Sequence, residues 1–460
     1  MNTTKKNRKL SLSTTQIIAL GFLITIAVGS ILLMLPISSA NGTYTPFIDS
    51  LFTATTSVCV TGLVVVNTFE HWSNFGQFVI LILIQFGGLG IVTFTTSLML
   101  ILRRKVSLKD RLLLQDAFNL SSMTGLVKFA KKVIAGALTI ESIGVLLYCF
   151  TFIPEFGFGK GLWISLFTSV SAFCNAGMDI IGSDSLIPYI TNLNVNLTTM
   201  FLIIMGGIGF IVWFDVVNVI KSVKRKETPK HAFFNRLSLH TKIVLTSTVV
   251  LIVLGAFVVF LFEYSNDSTI GLLSFPDKVI ASFFESVTLR TAGFLTFSQK
   301  NMRTTTTLFC IILMFIGGSP VGTAGGVKTS TIALIIISAM SAVRGNEYGI
   351  AFNRRLPNRT MRKALAVVLI SLLFCFTGVI LLLTYNDNDL LDVMFEIVSA
   401  IGTVGLSRNY TGTLQFGGKI ILIVCMYAGR IGPMTLSILF STRQSKYGLA
   451  TFPREDITVG

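Results

Sequence analysis

The sequence predicts an all-α polytopic membrane protein built from four repeats, each a helix, a re-entrant loop and a second helix. Three observations carry this expectation. Of the 460 residues, 52% are hydrophobic and only 13% charged, about half the charge of an ordinary soluble domain, and mean hydropathy is +0.76. Apolar runs at 15–36, 77–102, 131–153, 197–220, 243–262, 305–340, 364–383 and 420–440 reach or exceed the roughly 20 residues that cross a bilayer as helix. A segment opening on phenylalanine and closing on glycine recurs as FTATTSVCVTGL (52–63), FTSVSAFCNAGM (167–178), FFESVTLRTAGF (283–294) and FEIVSAIGTVGL (395–406). Its glycines, Gly62, Gly177, Gly293 and Gly405, are spaced by 115, 116 and 112 residues. One such Phe–Gly pairing carries little weight in a chain with 38 Phe and 39 Gly. Four at nearly equal spacing form an internal repeat.

The first apolar run is too long for the core of a cleaved signal and has no clear small-residue cleavage site. Eight spans return the chain to its starting side. The net charge of +16 is concentrated in segments 5–9, 103–111, 128–132, 221–242, 344–363 and 443–454, which hold 28 of the 37 basic residues. These lie on alternate connections, the positive-inside pattern, so both termini are expected in the cytoplasm of a cell (plasma) membrane protein. The charge then meets anionic headgroups of the lipid bilayer, and nucleic acid is not an expected partner. Six cysteines without paired spacing and three scattered histidines suggest neither a disulfide framework nor a zinc site.

Each Phe–Gly segment falls between an odd span and the next even one, hence on the outer side. The apolar portions, such as 47–57 and 162–172, run 11 residues, about 16 Å as helix, half a bilayer. They are expected as re-entrant loops at 47–66, 162–181, 278–297 and 390–409, within repeats 1–112, 113–225, 226–345 and 346–460. A glycine pair or its remnant follows in each second helix: Gly87-Gly88, Gly206-Gly207, Gly317-Gly318 and Ala428-Gly429. Contact glycines are common in membrane helices, but these keep offsets of 25, 29, 24 and 24 residues from the loop glycines.

Non-helical backbone at membrane depth must be packed on protein or line an aqueous path. Four copies suggest a pseudo-fourfold pore. Helices entering from outside point their negative C-terminal ends at its axis, and extended backbone beyond them offers carbonyls to a cation. The candidate lining is Val60, Thr61 and Gly62; Asn175, Ala176 and Gly177; Thr291, Ala292 and Gly293; and Thr403, Val404 and Gly405. None is a carboxylate, which suits a monovalent ion, the potassium ion, over a divalent one. Glu285, Glu396, Asp49 and Asp179 would enrich cations at the outer mouth or lie on solvated faces.

With these loops the chain resembles the Trk/Ktr/HKT superfamily of potassium transporters over its whole length, and its KtrB-type membrane subunits most closely. In that family each loop supplies one filter glycine, and some sodium-admitting relatives carry serine at the first. Gly62 therefore implies potassium preference, while sodium dependence stays open.

The run 305–340 is far longer than a bilayer needs and is broken by IGGSPVGTAGGVKTS at 316–330, where five glycines and Pro320 end the helix. The break falls near the midplane, beneath the proposed filter. Gly322 to Lys328-Thr329 imitates a phosphate-binding loop, but Val327 replaces the glycine before the lysine and no strand precedes it, so no nucleotide is expected on this chain. The resemblance makes the segment an intramembrane gate of Gly317, Gly318, Ser319, Pro320, Gly322, Thr323, Ala324, Gly325, Gly326 and Lys328. Arg430 lies about 10 residues into its span, where an unpaired charge costs at least roughly 2.5–3.5 kcal/mol, so it must face the pore or a partner. In the family the matching arginine lies in the pore below the filter, opposing cations. Lys328 either adds to that barrier or reaches the cytoplasmic headgroups, and Glu141 is a packing partner for a polar group.

The expected function is passive, gated potassium uptake by an ion-translocating subunit. The resemblance implies a homodimer docked on a cytoplasmic ring of RCK-type nucleotide-binding subunits, with the basic loops and 447–460 as docking surfaces. A secondary transporter for another small solute would place broken helices at matching positions of two halves. An intramembrane enzyme would need a catalytic constellation, and no HExxH motif, serine–histidine pair or acidic dyad stands in the spans.

Overall fold

The computed structural model describes residues 13–90, 93, 108–117, 125–226, 229–346, 348–385 and 389–432. The tail 447–460, the basic runs 5–9 and 443–454, and the far ends of the second and eighth apolar runs lie outside these residues.

The first quarter comprises α1 (Thr14–Met34), α2 (Phe47–Cys59), the single turn α3 (Thr68–His71) and α4 (Asn74–Leu89). Ser13 opens α1 with a capping box: Gln16 N–H donates to its hydroxyl at 3.2 Å and its own N–H donates to Gln16 Oε1 at 2.9 Å. After α5 (Leu108–Ala117), the second quarter runs α6 (Leu126–Phe156), α7 (Phe158–Cys174), α8 (Leu193–Gly207) and α9 (Phe210–Lys224). The third has the short α10 (Phe233–Arg236), then α11 (Leu239–Glu263), α12 (Phe275–Thr288), α13 (Thr304–Phe315) and α14 (Thr329–Val343). A two-residue hairpin, Ile350–Ala351 paired antiparallel with Arg354–Arg355, leads to α15 (Asn358–Tyr385), α16 (Leu390–Gly402) and α17 (Phe416–Ile431).

Four helices, α1, α6, α11 and α15, are long and apolar enough to cross a bilayer, and only 22–33% of their most apolar windows is buried. Such helices, apolar yet mostly uncovered, suit hydrocarbon rather than water. They coincide with the odd-numbered runs of the sequence, and the chain is a multi-pass helical membrane protein.

The even-numbered runs differ from expectation. The stretch 197–220, read as one span, bends by 97° between α8 and α9. The bend is at Gly209, with φ 95° and ψ 139°, a backbone region open only to residues without Cβ. Helix α4 stops at Gly90 (φ 82°, ψ 133°) and α17 at Gly432 (φ 88°, ψ 145°). The same backbone state therefore ends three second helices, within GGLG, GGIG and GRIG. The break at 316–330, expected as the one dominant break, is thus joined by a second at Gly209, while α4 and α17 end at Gly90 and Gly432 in the same backbone state.

Each short helix packs on the long helix before it: α2 on α1, α7 on α6, α12 on α11 and α16 on α15. Each second helix packs on the next quarter's short helix, α4 on α7, α8 on α12, α13 on α16 and α17 back on α2. The short helices form the centre of the core, and the run 52–63 is buried at every residue. Phe52, Phe167, Phe284 and Phe395 are fully buried there. In the third quarter the buried ring is thus Phe284; Phe283, which marked the repeat in the sequence, is 37% exposed.

Candidate functional site

The site grows from the C-terminal ends of the four short helices. Three of them, α2, α7 and α16, end alike: Val60, Asn175 and Thr403 adopt left-handed conformations with φ of 55°, 60° and 52°. The next N–H groups, of Thr61, Ala176 and Val404, each donate to the carbonyl five residues back, Thr56, Ser171 and Ser399, at 2.8 Å. This is a Schellman closure, in which glycine usually takes the left-handed place. A β-branched residue there is an outlier, held by surrounding structure that over-determines it. In the third loop Thr291 is left-handed (φ 66°), and Ala292 N–H donates to Thr288 O at 3.0 Å. In all four loops the left-handed residue precedes the glycine by two.

Counted from the buried phenylalanine, the glycine is the tenth residue in three loops and the ninth in the third, which is one residue shorter. The same count aligns Thr56, Ser171, Thr288 and Ser399, four residues after their phenylalanines. Thr56 and Ser399 accept from Gly62 and Gly405 N–H at 2.9 and 3.1 Å, Ser171 accepts from Met178 N–H at 3.1 Å, and Thr288 donates to Phe294 O at 2.8 Å. Reading the sequence missed these loop-fastening hydroxyls, although the Phe-x3-Ser/Thr spacing was there to find.

The glycines Gly62, Gly177, Gly293 and Gly405 meet one another. A Cβ on Gly62 would stand 2.5 Å from the Ala176 carbonyl oxygen and 3.3 Å from the Cα atoms of Gly177 and Gly405. One on Gly177 would meet the Ala292 oxygen, one on Gly293 the Val404 oxygen at 2.6 Å, and one on Gly405 the Thr61 oxygen. The contacts run from each loop to the next and close on the first. All four glycines line the floor of a cavity of about 470 Å³ whose walls include Asp179, Gln299, Ser407 and Thr411.

On the other side of the ring lies the segment between α13 and α14. Ile316 bridges Val327, and the segment is tied to the α8–α9 bend: Ser319 and Thr323 N–H donate to Gly207 and Gly206 carbonyls at 2.9 and 3.1 Å, and Phe210 N–H donates to Val321 O at 2.9 Å. Its tip touches the left-handed residues. Thr323 Oγ1 donates to Asn175 Oδ1 at 3.2 Å, a Cβ on Gly317 would lie 3.3 Å from Thr291 Cγ2, and one on Gly325 would strike Thr403. Ser319, Thr323, Ala324 and Val327 are buried.

Arg430 is half-buried, and its guanidinium donates to Thr323 O and Gly87 O, with Gly88 O at 3.5 Å. A Cβ on Gly87, Gly206 or Gly429 would meet the carbonyl of Val58, Phe173 or Ile401, in each case four residues before the loop glycine. Close approach to that carbonyl explains the shared offsets. It also corrects the alignment: Gly429 matches Gly87 and Gly206, so Arg430 stands where the first two quarters have Gly88 and Gly207. Lys328 does not extend toward headgroups; its Nζ donates to Ala324 and Gly325 carbonyls at 2.6 and 3.1 Å.

The outer carboxylates are not on solvated faces. Glu285 and Glu396 are fully buried and Asp179 is 9% exposed. Gln299 Nε2 donates to Glu285 at 3.1 Å, Thr411 Oγ1 donates to Glu396, and Ser185 Oγ donates to Asp179 at 2.5 Å. Asp49 pairs with Lys419 at 2.5 Å, joining the first and fourth quarters. Glu141 accepts from Gln85 Nε2 at 3.0 and 3.1 Å.

Known proteins place the chain in a family and match its fold. Residues 1–448 match the family model described as TrkH, cation transport protein. The chain is 40% identical over 445 residues to the Ktr system potassium uptake protein B of Bacillus subtilis, covering 97% of this chain and 96% of that one. It is 37% identical to the potassium/sodium uptake protein NtpJ of Enterococcus hirae, covering 100% of both. The crystal structure of the potassium transporter TrkH from Vibrio parahaemolyticus superposes with a TM-score of 0.74 at 18% identity, covering 96% of this chain and 87% of that one. That likeness is of fold. Its relatives are transporters and not enzymes, and the chain belongs to the TrkH/Ktr family of cation transport proteins.

Proposed function

We propose that this chain takes up potassium across the cell membrane as the channel-like, ion-translocating subunit of a Ktr/Trk-type system. The observation that carries the reading is the cyclic contact among Gly62, Gly177, Gly293 and Gly405. Such a ring, at the C-terminal ends of four helices, offers a cation backbone carbonyls and helix-end partial charges with no fixed anion. Val60 to Gly62, Asn175 to Gly177, Thr291 to Gly293 and Thr403 to Gly405 form the filter of a pseudo-fourfold pore. The segment from Gly317 to Lys328 closes the path beneath it, pinned by Arg430 at Thr323. Potassium is the transported ion, as the names of the Bacillus subtilis and Enterococcus hirae relatives support; the second name also supports testing sodium, as a co-ion or competitor.

The wider assembly follows the same reading: a homodimer with both termini cytoplasmic, on a cytoplasmic ring of RCK-type subunits that carries the nucleotide. A secondary transporter of another small solute would break its helices in two matching halves. Here the chain breaks at Gly209 and at 316–330, in adjacent quarters, and α4 and α17 end at Gly90 and Gly432 in the same backbone state as Gly209, a likeness of quarters and not of halves that favours the pore. The test is ion flux into vesicles containing the purified chain with and without its partner ring. Potassium flux well above sodium flux, increased by the partner, is expected; equal flux of both ions, or flux of neither, overturns the reading.

A further inference from the structure

We propose that a groove at the seam of the first and second quarters, on the vestibule side, holds the headgroup of an anionic phospholipid with its phosphate at Lys160, and that this lipid braces the second loop. The site does not rest on reading the ring as an ion path; its effect on uptake does.

The groove has a volume of about 690 Å³, within the roughly 300–1,000 Å³ of small-molecule sites. It lies where α4 and α7 begin, and Phe69, Gln77, Phe78, Lys160, Trp163 and Ile180 are in its wall. The wall is built before anything binds. Trp163 Nε1 donates to Gln77 Oε1 at 2.9 Å and Gln77 Nε2 donates to Trp72 O at 3.2 Å, which fixes the indole. Lys160 Nζ stands 5.1 Å from the Phe69 ring centroid and 5.3 Å from that of Phe156, and the two ring faces attract the ammonium and keep it at the groove.

Position and charge name the occupant. Exposed apolar side chains continue from the groove, Phe78 and Ile82 on α4 and Leu162 and Leu166 on α7, a surface that suits acyl chains. A lysine and a tryptophan one turn apart at the start of an apolar helix are side chains that settle at headgroup level. No carboxylate lines the groove. Glu70 and Glu155, the nearest acids in sequence, are outside its wall, and the ion pairs among the described residues, Arg408–Asp392 and Lys419–Asp49, lie elsewhere. The ammonium of a zwitterionic headgroup would therefore face Lys160 with no acid to receive it, and with Phe69 and Phe156 already engaged. A headgroup of net negative charge meets only the lysine.

The brace follows from two adjacent residues. Asp179 lines the vestibule, whereas Ile180, buried, lines the groove; they follow Gly177 by two and three residues. The second loop is thus a wall between the two spaces, and a lipid in the groove packs on its back.

The test is fluorescence quenching of the full chain in phosphatidylcholine vesicles that contain brominated phosphatidylglycerol or brominated phosphatidylcholine. The Trp163→Phe chain gives the background from Trp72 and Trp213, the other two tryptophans. The anionic lipid should quench Trp163 at about fivefold lower mole fraction than the neutral one, the scale of one basic residue against an anionic headgroup. Lys160→Arg should keep that preference and Lys160→Gln abolish it. Equal quenching by both lipids in wild type, or a preference that survives Lys160→Gln, overturns the site. Quenching no greater than the Trp163→Phe background means that the groove is covered by protein and overturns it too. Rubidium uptake in unbrominated vesicles, with the partner ring, should rise with phosphatidylglycerol content more in wild type than in Lys160→Gln. An equal rise in both overturns the brace, while no uptake in any vesicle overturns the ion-path reading instead.

Discussion

Replacing Gly62 by serine is the most direct test of the ring. The Cβ introduced by Gly62→Ser would sit 2.5 Å from the Ala176 carbonyl oxygen, whereas even a close C–H···O contact needs about 3.3 Å. Either that carbonyl retreats by about 0.8 Å or the first loop leaves the ring. The backbone adds its own cost, since φ at Gly62 is 96°, where an L-residue is strained by of order 1–3 kcal/mol. Because the carbonyl displaced belongs to the neighbouring loop, the strain is shared by two of the four segments proposed to face the ion. With this strain as the ceiling on lost discrimination, the potassium-to-sodium flux ratio should fall by about five- to 150-fold, at tenfold per 1.4 kcal/mol. The assay is paired rubidium and sodium uptake into vesicles, normalised to folded protein. Gly42→Ser is the matched control: its φ is also positive, at 68°, but nothing lies within 4 Å of the new Cβ. Equal selectivity in wild type, Gly42→Ser and Gly62→Ser would refute the argument, because the ring contact would then have no bearing on the ion.

Shortening the intramembrane segment by deleting part of 322–326 should raise flux in the absence of the partner ring several-fold; unchanged flux counts against a gate there. Gly209→Ala brings a Cβ to 2.5 Å from Pro320 O at a φ of 95°, so the bend and the segment cannot both stay in place. A loss of about 1–3 kcal/mol, read as a lower unfolding temperature in detergent, should accompany altered flux. The Lys419–Asp49 pair, at 17% and 15% side-chain exposure, ties the fourth quarter to the first. Lys419→Met should destabilise by about 1–3 kcal/mol, below the figure for a fully buried pair, and Asp49→Asn in the same chain should recover part of that loss in a thermal scan. His71, in the outer loop beside Thr45 Oγ1 at 2.9 Å, has its pKa held below the ordinary 6.5 by burial, against the opposing effect of Asp49. The neutral ring is thus the native form. Its contribution is complete above pH 6.5 and is lost as pH falls through the folded value, so stability should decline on acidification and His71→Gln should flatten that slope.

What the sequence could show was whatever one segment reveals by itself. Runs such as 243–262 declare a spanning helix because hydrocarbon requires about 20 apolar residues, and the glycine and proline density at 316–330 declares a break. The bend at Gly209 was hidden. GGIG has apolar neighbours on both sides, and in a membrane helix paired glycines are equally expected as contact points, so nothing local distinguished a bend from a packing groove. The third loop's register was ambiguous for a similar reason: either ring of the Phe283-Phe284 doublet satisfies the pattern, and only the packing of α12 selects the second. Glu285 and Glu396 looked like surface charges because charged residues are rarely fully buried. Their partners, Gln299 and Thr411, lie 14 and 15 residues on, beyond any helical spacing. Least legible of all was the ring itself, whose contacts join residues more than a hundred positions apart.

The departures from fourfold likeness are more telling than the likeness. Three second helices end at the same glycine conformation, at Gly90, Gly209 and Gly432, a backbone solution that needs no side chain. The third quarter abandons it for the segment between α13 and α14, and the fourth keeps it but substitutes Arg430 for the glycine found at Gly88 and Gly207. These two exceptions meet: the Arg430 guanidinium donates to Thr323 O in that segment and to Gly87 O in the first quarter. The second quarter joins through Gly206 and Gly207, whose carbonyls accept from Thr323 and Ser319. On the proposed reading, a path needing only selection would have no use for an arginine within an apolar run, nor for a segment that forfeits a helix. Both become intelligible together. The charge is satisfied by carbonyls of the first quarter and of the segment, and the segment is tied directly to the second quarter through Gly206, Gly207 and Asn175 and to the fourth through Arg430. If the segment moves to open a path, it must break the charge-assisted hydrogen bond from Arg430 to Thr323 O, worth about 1.5–3 kcal/mol, a barrier of the size that binding of a partner could overcome.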